Sequence, residues 1–262
     1  MTLAAPQMPT RPDSSPSAST IDAGEIARFT AMAAEWWDPK GKFAPLHRMN
    51  PTRIGYIREQ IVGHFSLNGE SATPFNNLSL LDVGCGGGLI AEPMARLGAN
   101  TTGIDAGLEN IKVAALHAQQ SGIAIDYRCN SAEELALDGA QYDIVLALEI
   151  IEHVANPALF YDTLAHLVKP GGILILSTLN RTAKSYAMAI VGAEMVLRWL
   201  PRGTHSWEKF IKPSEMADAI SKRGLTISDT TGITFNPLNW SFALNPRDLD
   251  VNYLMTAVNP SN

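Results

Sequence analysis

From Asn77 onward, short apolar runs alternate with amphipathic stretches, which predicts a parallel β-sheet with helices on both faces. The apolar runs give seven strand candidates, at 78–83, 100–104, 125–129, 142–148, 173–178, 225–230 and 251–258. Helical spacing falls between the first five, near 89–97, 108–121 and 157–168. Leu97-Gly98 and Lys169-Pro170-Gly171-Gly172 read as helix stops, and Pro93 kinks or shortens the first helix. No convincing helix joins the last two strands. The pattern therefore predicts an α/β fold, a seven-stranded doubly wound sheet ending in an antiparallel hairpin.

Two stretches fall outside this alternation. Residues 21–65 read as helical: Asp22 with Glu25 forms a capping-box start, and Ile26, Phe29, Ala33, Trp36 and Trp37 give an apolar face. A second helix is expected from Asn50 as cap and Pro51 in the first turn, through Ile54, Ile57 and Ile61. The other stretch is an insertion, 180–212, after the fifth strand. Ligands of open α/β sheets bind beyond the carboxyl ends of the strands, so both stretches are expected to form a lid there. Residues 1–20, rich in Pro, Ser, Thr and Ala, read as a disordered tail, and 21–262 as a single domain.

Composition narrows the function. The chain has 262 residues, 46% of them hydrophobic, and a formal net charge of -6. An acidic chain without a Lys/Arg cluster is a poor partner for nucleic acid. Cys85 and Cys129 stand apart without a CxxC neighbour, so no zinc, redox or disulfide framework is expected, and a reducing, cytoplasmic setting follows. The stretch 186–200 is apolar but too short to span a bilayer. It fits a core helix equally with a lid touching membrane, where Lys184, Arg198 and Arg202 would meet anionic headgroups and Trp199 the interface.

The candidate chemistry begins at the first strand, which runs into Asp82-Val83-Gly84-Cys85-Gly86-Gly87-Gly88. Glycines there let a ligand lie against bare backbone. A dinucleotide fingerprint requires glycine at the sixth position of the turn, and Leu89 stands there. The acidic-x-Gly-x-Gly-x-Gly spacing resembles the first motif of S-adenosylmethionine-dependent methyltransferases, and a tight turn with no ligand is the competing reading. Asp105, ending the second strand about twenty residues later, can accept hydrogen bonds from both ribose hydroxyls or merely cap the next helix. Ser131-Ala132-Glu133 follows the third strand, where such folds hold the adenine edge. After the fourth strand, Glu149, Glu152 and His153 are related as i, i+3 and i+4. One helical turn would put two carboxylates and an imidazole on one face, as a divalent metal or a general base requires. No Asn/Asp-Pro-Pro-Tyr/Phe ends this strand, which favours an oxygen nucleophile over an amide or base nitrogen.

Several segments together, FTAMAAEWW, PLHRMNPTRIGYI, LLDVGCGGGL, EIIEHV, LVKPGG, STLNRTAKSYAMAIVGAE, GTHSWEKFIKP and DVNYL, resemble the ubiquinone-biosynthesis O-methyltransferases. They span nearly everything from Ile21 to Tyr253. The resemblance implies the class I methyltransferase fold, S-adenosylmethionine as cofactor, and methylation of phenolic hydroxyls on polyprenyl catechols, namely 2-polyprenyl-6-hydroxyphenol and 3-demethylubiquinol. It implies cofactor binding by Arg53, Gly84, Asp105 and Leu148, the last through its backbone. It also implies a divalent cation (Mg or Zn) on Glu149, Glu152 and His153, with Glu149 and His153 catalytic. The implied partners are the polyprenyl lipid, the inner face of a membrane and a ubiquinone-synthesis complex. A metal-independent small-molecule O-methyltransferase and a non-enzymatic, membrane-docking cofactor-binding protein are the alternatives.

Overall fold

The computed structural model describes residues 19–188 and 206–261. The expected tail, up to residue 18, and the middle of the expected insertion, 189–205, lie outside the described residues. The apolar runs form β1 (Ser79–Val83), β2 (Asn100–Ile104), β3 (Asp126–Arg128), β4 (Tyr142–Leu148), β5 (Val168–Leu179), β6 (Thr226–Asn236), β7 (Ser241–Asn245) and β8 (Asn252–Val258). They make one sheet in the order β3-β2-β1-β4-β5-β8-β6-β7, with β3 to β5 parallel and β8, β6 and β7 antiparallel.

The sheet thus has eight strands rather than the expected seven. The sixth runs on to Asn236, and β7 returns along it from Asn236↔Ser241 to Gly232↔Asn245. Only Phe242 and Leu244 of β7 pack toward α2 (Ala44–His64), too short an alternation to stand out in the sequence. β6 and β8 pair antiparallel as expected, with β7 between them in the chain.

The parallel strands are buried on both faces, as helix-covered strands must be. Ile144 to Ala147 of β4 are wholly inaccessible. One face packs against α5 (Ala132–Leu137), α6 (Pro157–Leu167) and α8 (Pro213–Ser221) through Leu135, Phe160, Leu164, Met216 and Ile220. The other packs against α2 and α3 (Ala91–Arg96) through Tyr56, Ile57, Ile61 and Met94. Completing the helices are α1 (Ala23–Thr30), α4 (Leu108–Gln120) and α7 (Ala183–Ser185).

Two local expectations change. Asn50 does not cap a helix: α2 begins at Ala44, with Pro45 in its first turn, and continues through Pro51. Asn50 is buried inside it, its side chain turned to Arg53. Asp22 does cap α1, accepting from the backbone N–H groups of Gly24 and Glu25. Glu25 does not close the capping box, because its carboxylate is engaged by Arg28 and His153.

The strand order reverses between β1 and β4. Their carboxyl ends lie side by side, Val83 paired with Ala147, and open the crevice in which such sheets bind ligands.

Candidate active site

At the end of β1 the chain enters the glycine turn. Gly84 (φ +71°) and Gly86 (φ +53°) take left-handed conformations, and a Cβ on either would collide with a neighbour. It would fall 2.1 Å from Ile150 Cδ1 at Gly84 and 2.4 Å from the Trp36 ring at Gly86. The turn is tied to the end of β2: the N–H groups of Gly84 and Cys85 both donate to the Ile104 carbonyl, at 2.8 and 2.9 Å. Gly86 N donates to Asp105 Oδ2 at 3.1 Å. Asp105 Oδ1 accepts from Gly107 N (2.7 Å) and Asn110 Nδ2 (3.0 Å). Burial pushes the Asp105 carboxyl above its ordinary pKa, and the bonds from Asn110, Gly107 and Gly86 pull it back. A carboxylate has about four acceptor positions, so it keeps capacity for a ligand hydroxyl.

At the end of β4 the solution is different. Glu149 has φ +51°, unusual for a side chain of its size, and so leaves the strand abruptly. Its N–H donates to the carbonyl of Ser177 at 3.0 Å. Its Oε1 accepts from Ser177 Oγ (2.8 Å) and Asn252 Nδ2 (2.9 Å), and lies 3.7 Å from Arg53 Nη1. Glu152 sits in a 3₁₀ turn, Ile151–His153, fully buried; its Oε2 accepts from Thr178 Oγ1 at 2.9 Å, and its Oε1 has no hydrogen-bond partner. Burial, and then the charge of Glu149, hold the Glu152 carboxyl well above its ordinary pKa. His153 turns elsewhere, its Nδ1 3.0 Å from Glu25 Oε2 and its ring edge-on to Phe29.

The expected single helical face is therefore not what forms. Glu149 precedes the 3₁₀ turn in a left-handed conformation, so the two carboxylates adjoin while the imidazole faces α1. Among the described residues no three His, Cys, Asp or Glu side chains are gathered into a metal-holding group.

Between the two ends lies a buried charge cluster. Arg53 is 3% exposed, and its Nε and Nη2 donate to Asn50 Oδ1 at 3.1 and 2.7 Å. Burial lowers its pKa, opposed by the charges of Glu149, Asp82 and Glu152; a guanidinium stays protonated regardless. Burial pushes Asp82 up to about 7, with Arg53 pulling it down and Asp105 pushing it up. Asp82 Oδ2 has no hydrogen-bond partner. Burial thus works against charge on both Asp82 and Glu152, beside the one guanidinium of Arg53.

Arg53, Gly84, Asp105, Leu148, Glu149, Glu152 and His153, drawn from four separate stretches of sequence, all line one cavity of about 260 Å³. Phe29, Trp36, Phe43 and Leu46 of the N-terminal segment wall it. Ser131 and Ala132 line it too, whereas Glu133 Oε1 accepts from the backbone N–H of Thr20. Ser131 caps α5 in a reciprocal box with Glu134, a spacing legible in the sequence. Sequence reasoning missed Asn50, Asn110, Ser177, Thr178 and Asn252 as site-building residues, and it read Glu25 and Trp36 only as helix residues. Glu25, Trp36, Ser177, Thr178 and Asn252 meet partners 26 to 128 residues away, whereas Asn50 and Asn110 stand three and five residues from Arg53 and Asp105 in no recognised motif.

A parallel sheet with this switch point, glycine turn and second-strand acid, closed by antiparallel strands, defines an S-adenosylmethionine-dependent methyltransferase. Residues 81–176 match the family model described as "Methyltransferase domain". The fold is similar to that of a magnesium protoporphyrin IX methyltransferase from Synechocystis solved with bound S-adenosylmethionine (TM-score 0.58, 16% identity, 93% of this chain and 100% of that one). A methyltransferase from Clostridium acetobutylicum is comparable (TM-score 0.57, 12% identity, 90% and 98%). Much nearer in sequence are proteins named ubiquinone biosynthesis O-methyltransferase. The chain is 57% identical to one from Cereibacter sphaeroides over 92% of its length and 98% of the relative's. It is 54% identical to another from Parvibaculum lavamentivorans, over 91% and 94%. The chain belongs to the ubiquinone biosynthesis O-methyltransferase family and is an S-adenosylmethionine-dependent O-methyltransferase.

Proposed function

We propose that the enzyme methylates a phenolic hydroxyl of polyprenyl catechols, 2-polyprenyl-6-hydroxyphenol and 3-demethylubiquinol. The observation that carries this reading is the convergence of the glycine turn, Asp105 and the Glu149–His153 turn on one cavity walled by aromatic and aliphatic side chains. When bound, S-adenosylmethionine supplies an electrophilic methyl group on a sulfonium. The unpartnered Asp82 oxygen suits the positive charge of that cofactor, which would favour the ionised form of Asp82. Arg53, aimed by Asn50, would take its carboxylate, Asp105 its ribose hydroxyls, and the backbone at Gly84 and Leu148 its amino-acid and nucleoside edges.

The acceptor must lose a proton, since a free phenol titrates near pH ~10. His153 serves as general base in this reading, and the contact of its Nδ1 with Glu25 supports a role for Glu25 in orienting the ring and stabilising an imidazolium. The first part of the 21–65 stretch, before α2 packs on the sheet, acts as the lid that excludes water, and Glu25 carries the lid to the base. The described ends of the 180–212 stretch are read as adjoining the lid. Tyr186 and Met188 at its start are exposed, which supports contact with a lipid tail or a membrane surface.

A divalent cation is the second reading. The adjoining carboxylates of Glu149 and Glu152, one oxygen unpartnered, fit such an ion; His153 fits only after leaving Glu25. When bound, the cation would act as a Lewis acid lowering the phenol pKa.

Transfer of labelled methyl to short-chain demethylubiquinol and polyprenyl-hydroxyphenol analogues, with and without EDTA, tests both readings. Methyl ether formation is expected, and no turnover of any catechol would overturn the substrate assignment. Full activity in EDTA would remove the cation and leave His153 as the base.

A further inference from the structure

Trp36 and Trp37 are adjacent in sequence but grip the glycine turn in different ways. Trp36 lies over Gly86 and Gly87, stacks on Phe43 (3.7 Å, 6°) and donates from Nε1 to Asn110 Oδ1 at 2.9 Å. Trp37 donates from Nε1 to the Gly87 carbonyl at 2.9 Å. Its ring lies flat on the imidazole of His117 in α4, with centroids 3.4 Å apart and planes within 4°. His117 Nδ1 in turn lies 2.6 Å from Glu92 Oε1. Glu92 stands in the first turn of α3, directly after the glycine turn, and its side chain is only 3% exposed against 31% for His117.

We propose that Glu92, His117 and Trp37 form a clasp that shuts the N-terminal segment on the glycine turn, making His117 a positioning residue for methyl-donor retention. None of the three lines the cavity. They act through the Gly87 carbonyl and through Trp36, the neighbour that Trp37 anchors. A buried carboxylate needs a hydrogen-bond partner, and His117 is both that partner and the flat surface on which Trp37 rests. Losing the ring removes the stack and leaves Glu92 without this bond, so the segment opens more often and donor escapes faster. Asn110 extends the linkage on the other side, since the same side chain that receives Trp36 Nε1 donates to Asp105.

The clasp concerns donor binding alone, so its test is independent of the acceptor. S-adenosylhomocysteine affinity is measured by titration calorimetry on His117→Ala, on Trp37→Phe, which keeps the stack but loses the Gly87 bond, and on Glu92→Leu/His117→Phe, which keeps a flat ring without the hydrogen-bonded pair. About fivefold to tenfold weaker binding is expected for His117→Ala. The Michaelis constant for donor should rise in parallel, kcat at saturating donor should stay within about twofold, and protease cleavage within residues 31–42 should become faster. The double variant should restore most of the affinity. Unchanged affinity and cleavage in His117→Ala would overturn the clasp. So would equal losses of kcat and affinity, or failure of the folded double variant to recover binding when Trp37→Phe also binds normally.

Discussion

The two ends of the cavity hold their acids by opposite means. At the glycine-turn end, Asp105 is held by neutral dipoles, two backbone N–H groups and one amide, all within about twenty residues in sequence. At the Glu149 end, a partly buried and a buried carboxylate adjoin, balanced by a guanidinium from α2 and by hydroxyls and an amide from β5 and β8. The first arrangement is complete by itself and needs only a ligand with hydroxyls. The second has no such local closure: Glu152 keeps an unpartnered oxygen and a raised pKa, features it shares with Asp82 at the junction between the ends. The two ends differ in how their charges are compensated, which accords with the proposal that one binds the donor and the other meets the acceptor.

The largest effect is expected at the junction. Arg53→Ala leaves buried carboxylates without their cation and should lower unfolding stability by about 3–5 kcal/mol in denaturant titrations. Asp105→Ala should spare stability more and weaken S-adenosylhomocysteine binding about a hundredfold by calorimetry, for two lost bonds to a charged acceptor. If it instead impaired only turnover, the division between the ends would fail.

Asp82 sharpens the comparison through pH. Its folded-state pKa of about 7 lies above the ordinary 3.8, so the folded chain binds more protons than the unfolded chain in that interval. Cofactor-free stability should therefore fall as pH rises from about 4 to about 7, and Asp82→Asn should flatten that fall in melts across the range. Donor affinity should rise with pH over the upper part of the interval, as Asp82 ionises toward a cationic ligand, and lose this dependence in Asp82→Asn.

The smallest effect belongs to the bridge between lid and base. The bond to His153 holds the Glu25 carboxyl below its ordinary 4.5, so its contribution is present above that value and lost as pH falls through the depressed one. With that pair partly exposed, Glu25→Gln should cost under about 1 kcal/mol in thermal melts near neutrality. Its effect on turnover should be larger than its effect on stability; the reverse order would make the contact purely structural.

The donor end was legible in sequence because its chemistry is local. Glycines at Gly84 and Gly86 and an acid at the next strand end are fixed by one βαβ unit. The acceptor end was legible only as a list of residue types. The spacing of Glu149, Glu152 and His153 implied a helical face, but a left-handed Glu149 and the pull of Glu25 sent the imidazole the other way. Nothing local forecasts that Asn252, about a hundred residues on, steadies Glu149, because antiparallel pairing of β8 with β5 puts it there. Likewise β7 escaped notice because its buried face rests on two residues, Phe242 and Leu244.

The division of labour is tested most directly by one pair of readings on His153→Gln: S-adenosylhomocysteine affinity, and methyl transfer to a short-chain demethylubiquinol at saturating donor. Affinity within about threefold of the parent, together with at least about a hundredfold loss of methyl transfer, is the expected result. Methyl transfer at the parental rate, or a loss of donor binding equal to the loss of turnover, would contradict it.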